Sequence, residues 1–233
     1  MSLACDLSGG RSLALAPEVR ADLRCGVVEL SGVRVDHGSG AAEQTRLTAA
    51  RYRELYAGSA PSNIAPLGAA RTLYKSFGMD PSRHRPSSEA LLRRVLKGLD
   101  LYRINSAVDC CNLASLEFLL PVGMYDAGRI QGDVSLRLGR EGDSYAGIRK
   151  GDVNVGGRLA LYDDLGPFGS PTSDSARTCV EERTKEVLAV IFAPATYASS
   201  AMRDHLELFG ALFATHCMAT IGTRQHLGWE NES

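Results

Sequence analysis

The chain has 233 residues, 44% of them apolar and 23% charged, with a formal net charge of −1 at neutral pH. That length can bury one sizeable core, and the near-neutral balance excludes a global pull towards nucleic acid or membrane, so an RNA partner would need a local basic patch. No apolar run approaches the roughly 20 residues that span a bilayer, no basic-then-apolar leader is visible, and the six cysteines, none in a Cys-x-x-Cys spacing, read as reduced thiols of a cytoplasmic protein.

Residues 25–35 are β-branched and partly alternating, which predicts a strand. Over 40–58, Leu47, Ala50, Tyr52 and Leu55 recur at helical spacing, and 67–77 makes a second, shorter helix closed by Gly78. Pro81 and Pro86 keep the next stretch out of a helix. Ser87 or Ser88 then caps a helix with Leu91, Leu92, Val95 and Leu96 on one face, Arg93, Arg94 and Lys97 off it, and Gly98 at its end. Ser106 to Leu119 reads as a further helix, stopped by Pro121.

Beyond residue 130 the pattern turns to strands. Residues 131–140 alternate Val134, Leu136 and Leu138 against polar side chains, and 156–166 and 185–194 follow, the last apolar enough to be buried on both faces. Between those two lies 170–180, crowded with hydroxyls, carboxylates, Arg177 and Cys179. A turn needs far less polarity, so the stretch is either a long solvated loop or a wall that faces a ligand. A closing helix from about Ser199 to Ala219 carries Met202, Leu206, Phe209, Phe213 and Cys217 as its apolar stripe. Helices, then strands, then a closing helix predict an α+β domain without repeating βαβ units.

No familiar phosphate-, dinucleotide- or zinc-binding spacing occurs, nor a nucleophile elbow, and no metal or cofactor is expected. His205 and His216 stand roughly 16 Å apart along one helix and cannot share a metal. His37, His84 and His226 read as surface or structural residues. Cys111 has no histidine close in sequence to activate it. Arg71, Lys75, Arg83, Arg85, Arg93, Arg94 and Lys97 cluster in sequence, either as a solvated helical face or as a phosphate-tracking surface. In the second case Arg83, Arg85, Arg93, Arg94 and Lys97 are the candidate RNA contacts.

An ordered series resembles one known module. Val108, Asp109, Asn112, Leu116, Glu117, Pro121, Tyr125, Asp126, Ile130, Gly132 and Arg137, with Tyr162-Asp163-Asp164 and Val180 to Thr184 downstream, are similar to the B3/B4 domain. That module belongs to the β subunit of bacterial phenylalanyl-tRNA synthetase and also occurs as free-standing proteins. The resemblance covers about residues 80–194. It implies one domain over 1–233: a β-sandwich core of mixed and antiparallel strands, with helical flanks at 1–79 and 195–233.

In the synthetase the module houses an editing site that hydrolyses tyrosine wrongly attached to the phenylalanine tRNA. By position, the family's pocket asparagine matches Asn112, its preceding threonine matches Cys111, and its histidine falls at Gly123, so that histidine is missing here. The glycine pair and acid of the second wall fall at Asp174, Ser175 and Arg177. The match assigns no catalytic residue. It implies that Asn112 faces the cavity and that Arg177 points inward or across its mouth, held by Asp174 or Asp163, either as a ligand anchor or as a structural ion pair tying the loop to the domain. Two readings are open: a free-standing editing-type hydrolase that binds a mischarged aminoacyl-tRNA, and a non-catalytic module for an amino-acid-like small molecule or RNA. In the second, Arg177 would grip a carboxylate that an ester lacks. Neither involves DNA or a membrane, and ligase motifs are lacking.

Overall fold

Three strands, not helices, begin the chain: β1 (Ala4–Asp6), β2 (Ser12–Leu15) and β3 (Leu23–Ser31). The computed structural model describes residues 1–38, 40–149 and 151–230. Four helices follow, α1 (Ala42–Leu55), α2 (Leu67–Ser76), α3 (Ser87–Leu96) and α4 (Ser106–Phe118). Then come β4 (Val122–Asp126), β5 (Val134–Leu138), the short pair β6 (Ser144–Ala146) and β7 (Asp152–Asn154), β8 (Leu159–Asp163), β9 (Gly166–Ser170) and β10 (Ser173–Asp174). β11 (Val187–Pro194), α5 (Ser199–Cys217) and β12 (Thr220–Leu227) close the chain. The expected helical flank over 1–79 is therefore corrected: β1 and β2 have three and four residues, too short to show a period, while β3 sits inside a sheet.

A four-stranded antiparallel sheet runs β12-β3-β11-β4, and a six-stranded sheet runs β1-β2-β5-β8-β9-β10, antiparallel except where β2 meets β5. The fold is α+β. Every residue of β11 is buried, and its period of two assigns them to two cores. Leu188, Val190 and Phe192 pack with Leu13, Leu136 and Phe168 between the sheets, while Ala189 and Ile191 pack with Phe209 and Phe213 under the helical layer. Helix, sheet and sheet thus stack in three layers. Gly26 on β3 lets α5 lie close, because a Cβ there would fall 2.6 Å from Met202 Sδ and 2.9 Å from Leu206 Cδ2.

A satellite core joins α1, α3 and α4 through Tyr52, Leu92, Val95 and Leu116. Beside it Glu89 is buried and accepts from Arg71 Nε and Arg93 Nε, each at 2.8 Å. The expected serine cap of α3 does not form: its N-cap is Pro86, without a side-chain bond, and Ser88 Oγ is buried without a partner. α4 is capped instead by Asn105, whose side chain accepts from Val108 N at 2.9 Å. Leu119, left-handed at φ 53°, ends it before Pro121. No helix of the described residues is long and apolar enough to cross a membrane.

Candidate functional site

The polar stretch 170–180 is neither a solvated loop nor simply a ligand wall. Ser170 and Ser173 pair across a tight β9–β10 hairpin. Tyr74 Oη donates to the Pro171 carbonyl at 2.8 Å, and Tyr145 Oη bonds the Ser173 carbonyl and lies 3.0 Å from Ser170 Oγ. Ser175 is buried, its Oγ 2.9 Å from Thr178 Oγ1, and Thr178 O accepts from Asp126 N at 2.8 Å. Arg177 lays its fork on Asp163, Nη1 to Oδ2 and Nη2 to Oδ1 at 2.8 Å each, with Nη1 also 3.0 Å from the Arg129 carbonyl. Of the two acidic partners expected for Arg177, Asp163 is the one that holds it. Most of the polarity therefore fastens the segment to β4, β8 and α2.

Asp174 behaves differently. Its charge bears on Cys111, Tyr125, Tyr145 and Cys179, so these groups surround it. Gly123 and Tyr125 lie two apart on β4 and share a face. A Cβ at Gly123 would fall 2.1 Å from Tyr125 Oη, and one at Gly169 of β9 would fall 2.3 Å from the same ring. The two glycines thus leave the space that the Tyr125 side chain fills. Tyr125 Oη is buried with no hydrogen-bond partner of proper geometry among the described residues, although Asp174 is near. Burial first, then the Asp174 charge, pushes the Tyr125 hydroxyl and the Cys111 thiol up.

Beside this interior lies a cleft of about 800 Å³, linked to it by Cys179, on which the Asp174 charge bears. Asn105 and Val108 at the start of α4 form one side, Ile148 and Arg149 of the β6–β7 connection a second, and Cys179 and Glu182 a third. Cys111 is the next residue down the helix on the side of Val108. At the rim, His37 Nε2 lies 2.6 Å from Glu182 Oε1 and His37 Nδ1 lies 2.9 Å from the Ile104 carbonyl. The Glu182 hydrogen bond, then that carbonyl, raise the His37 imidazole. Cys179 is raised by burial, then by Glu181 and Asp174, against the opposing effect of Arg129 and Arg149. Among the described residues no group of three or more His, Cys, Asp and Glu is placed to hold a metal.

The sequence-derived site residues therefore divide. Cys111, Gly123 and Asp174 gather around Tyr125, while Ser175 and Arg177 are engaged within their own segment. Asn112 lines a separate groove of about 190 Å³ against α1, with Thr45, Ala49 and Tyr102. The expectation that it shares one cavity with Asp174 and Arg177 is corrected, since the next residue on a helix is turned by about 100°. The basic cluster divides as well. Arg93, with Arg71, neutralises Glu89, and Arg94 bonds the Asp100 carbonyl and lies over the Tyr102 ring. Arg83, Arg85 and Lys97 stay exposed. Sequence reasoning named Tyr125 only as a member of the family series, without a place in the site, and missed Tyr145, Arg149 and Tyr102. The glycine at 123 two residues before Tyr125 was the available signal, an alternation readable only once β4 is recognised.

The B3/4 domain family model matches residues 69–207. The chain is 30% identical over 149 residues to the phenylalanine–tRNA ligase beta subunit of Streptomyces avermitilis, covering 60% of this chain and 18% of that one. It is 28% identical over 107 residues to the phenylalanine–tRNA ligase beta subunit of Paramagnetospirillum magneticum, covering 46% of this chain and 12% of that one. The chain thus spans less than a fifth of the length of these curated relatives. Among solved structures it is similar to an N-terminal fragment of the phenylalanyl-tRNA synthetase beta subunit from Pyrococcus horikoshii, with a TM-score of 0.48 and 12% identity, over 90% of this chain and 49% of that one.

Proposed function

The chain belongs to the B3/4 domain family, and on that premise we propose that it takes the aminoacylated end of a tRNA into the cleft beside the start of α4 and hydrolyses the ester. The observation that carries this reading is the cleft itself, whose wall residue Cys179 feels the charge of Asp174. The α-ammonium of an aminoacyl ester is a cation. Glu182 in the lining and Asp174 beside Cys179 supply carboxylates for it, and Arg149 lies on the side where a phosphate would enter.

The cleavage step falls to water. Cys111 and Cys179 are both raised, so at neutral pH each is a thiol and a poor nucleophile. A bound water adds to the ester carbonyl carbon, the bond to the ribose oxygen breaks, one water proton passes to that oxygen to give the ribose hydroxyl, and the other leaves to solvent as the amino-acid carboxylate forms. Holding an activated ester and a water in line supplies much of such a rate.

A panel of mischarged tRNAs tests the proposal. At least one ester should be lost faster with the protein than in buffer, and Asp174→Asn should remove that acceleration while the fold persists. No accelerated ester anywhere in the panel would end the hydrolase reading. One observation favours a second reading, a module that binds an amino-acid-like small molecule without turnover: Tyr125 already fills the interior between Gly123 and Gly169. Thermal shifts with free amino acids, run in parallel, separate the two.

A further inference from the structure

We infer that the groove beside Asn112 is a second ligand site, which takes one purine base of the RNA strand whose acylated end lies in the cleft. The identity of that strand rests on the function proposed above; the groove's chemistry does not. Its walls come from α1 through Thr45 and Ala49, from the segment before α4 through Leu101 and Tyr102, and from α4 through Asp109 and Asn112. α1 lies outside the residues matched by the family model, so this wall belongs to the chain's own N-terminal part.

Size narrows the occupant. At about 30 Å³ per water, 190 Å³ holds about six waters. That suits a single bicyclic ring and falls short of an ordinary small-molecule pocket of roughly 300 Å³ or more. Polar chemistry narrows it further. Among the described residues the Asn112 side-chain amide has no hydrogen-bond partner, and it offers a donor and an acceptor side by side. That pair complements the amino group and ring nitrogen on one edge of adenine. Asp109 Oδ1 accepts from Ile104 N at 3.0 Å, and its second oxygen is directed to no described donor, leaving an acceptor for an exocyclic amine. Tyr102 is 65% exposed, with the Arg94 guanidinium 3.8 Å from its ring centroid. One face is thereby covered by a cation and the other is open to stack on a base.

Continuity selects a strand over a free base. A third concavity, of about 340 Å³, shares lining residues with both the groove and the cleft. Arg103 and Asp109 line it and the groove, while His37, Ile104 and Asn105 line it and the cleft. Taken as the path of one strand, these three neighbouring concavities make a trench around the start of α4. Arg46 and Arg103 stand along its groove end, where a phosphate backbone would pass.

A short single-stranded RNA carrying 8-vinyladenine, a fluorescent adenine that keeps the 6-amino group and N7, near its 3′ end reads the base site by fluorescence, without any ester. The expected result is quenching on binding to the wild type. Asn112→Leu and Tyr102→Ala should each weaken binding at least about fivefold, the low end for a bidentate or stacked base contact. Tyr102 is exposed, so its variant keeps the test valid if Asn112→Leu fails to fold. Absence of quenching, or unchanged affinity in both folded variants, overturns the inference. If the RNA is quenched and no ester is hydrolysed, the base site stands and the hydrolase reading falls. If esters are hydrolysed and neither variant changes KM, the base site falls alone.

Discussion

Arg177→Lys separates a structural clamp from a ligand anchor, and the structure fixes what it should cost. The arginine makes two charge-assisted bonds to Asp163 at 2.8 Å and a third to the Arg129 carbonyl at 3.0 Å. The Asp163 side chain is 0% exposed, so the pair lies well beneath an ordinary surface ion pair. A lysine keeps the charge and one bond to the carboxylate but cannot reproduce the fork. It forgoes one charge-assisted bond, about 1.5–3 kcal/mol, and one bond to a neutral carbonyl, about 1 kcal/mol. Asp163 retains Gln131 N at 2.9 Å and Leu165 N at 3.0 Å, so its carboxylate is not orphaned. The net expectation is about 2.5 kcal/mol for lysine, the low end of those two losses, and about 3 kcal/mol or more for alanine, the low end for breaking a buried pair. With a urea slope of about 2 kcal/mol/M, the lysine variant should unfold about 1 M earlier. Deacylation or ligand affinity, measured well below that transition, should stay at the wild-type level. A lysine variant with an unmoved urea midpoint and weakened binding would refute this, and would return Arg177 to the ligand.

Three further outcomes follow from buried groups. Glu89→Gln should cost about 3 kcal/mol, because Arg71 and Arg93 lose the charge they share. Burial raises Glu89, but the hydrogen bonds from those arginines outweigh it and leave the carboxyl lowered; its contribution is present above the unfolded value and lost as pH falls through the folded one, so urea midpoints of wild type and Glu89→Gln should converge in acid. His205, buried against Phe118 and bonded to Tyr197 Oη, is lowered to about 4 by burial. It stays neutral in the fold while the unfolded chain takes up a proton, so stability falls as pH drops from about 6.5 towards 4; allowing for its partial exposure this is about 1 kcal/mol by pH 5, and imidazole resonances that titrate at the ordinary value would contradict it. Tyr125→Phe removes a buried hydroxyl without a well-formed bond and should stabilise by up to about 1 kcal/mol in thermal unfolding, whereas a clear loss would mean that Asp174 depends on that hydroxyl.

The strands and helices that were legible in sequence are those whose burial has a period. β11 is apolar throughout because two cores claim its two faces, and α5 carries one stripe because only one core touches it. β12 was not legible: it is an edge strand with only Leu227 fully buried, so Thr220, Arg224 and Gln225 hide a pairing to β3 that only the backbone makes. The polarity of 170–180 was visible but its use was not, since Tyr74, Tyr145 and Asp163, which tie it down, come from three other elements. Arg71, Arg93 and Arg94 looked like a phosphate surface for the same reason. Glu89 is itself in the cluster's stretch, yet nothing in the spacing says that it is buried beneath two of them.

Cys111 and Asn112 bring the same limit to the site itself. A linear motif treats neighbours as partners, but each step along α4 turns the side chain by about 100°. Cys111 is thereby turned to Tyr125 and Asp174, and Asn112 to the groove against α1. No compact ligand reaches both through the helix. An extended one can, because α4 begins at Ser106 and the trench passes around that end by way of Arg103, Ile104 and Asn105. A strand with an acyl group at its terminus and a base a short distance behind it has that shape. Under the function proposed above, the helix that sets the two residues apart would measure the distance between the acyl end and the base.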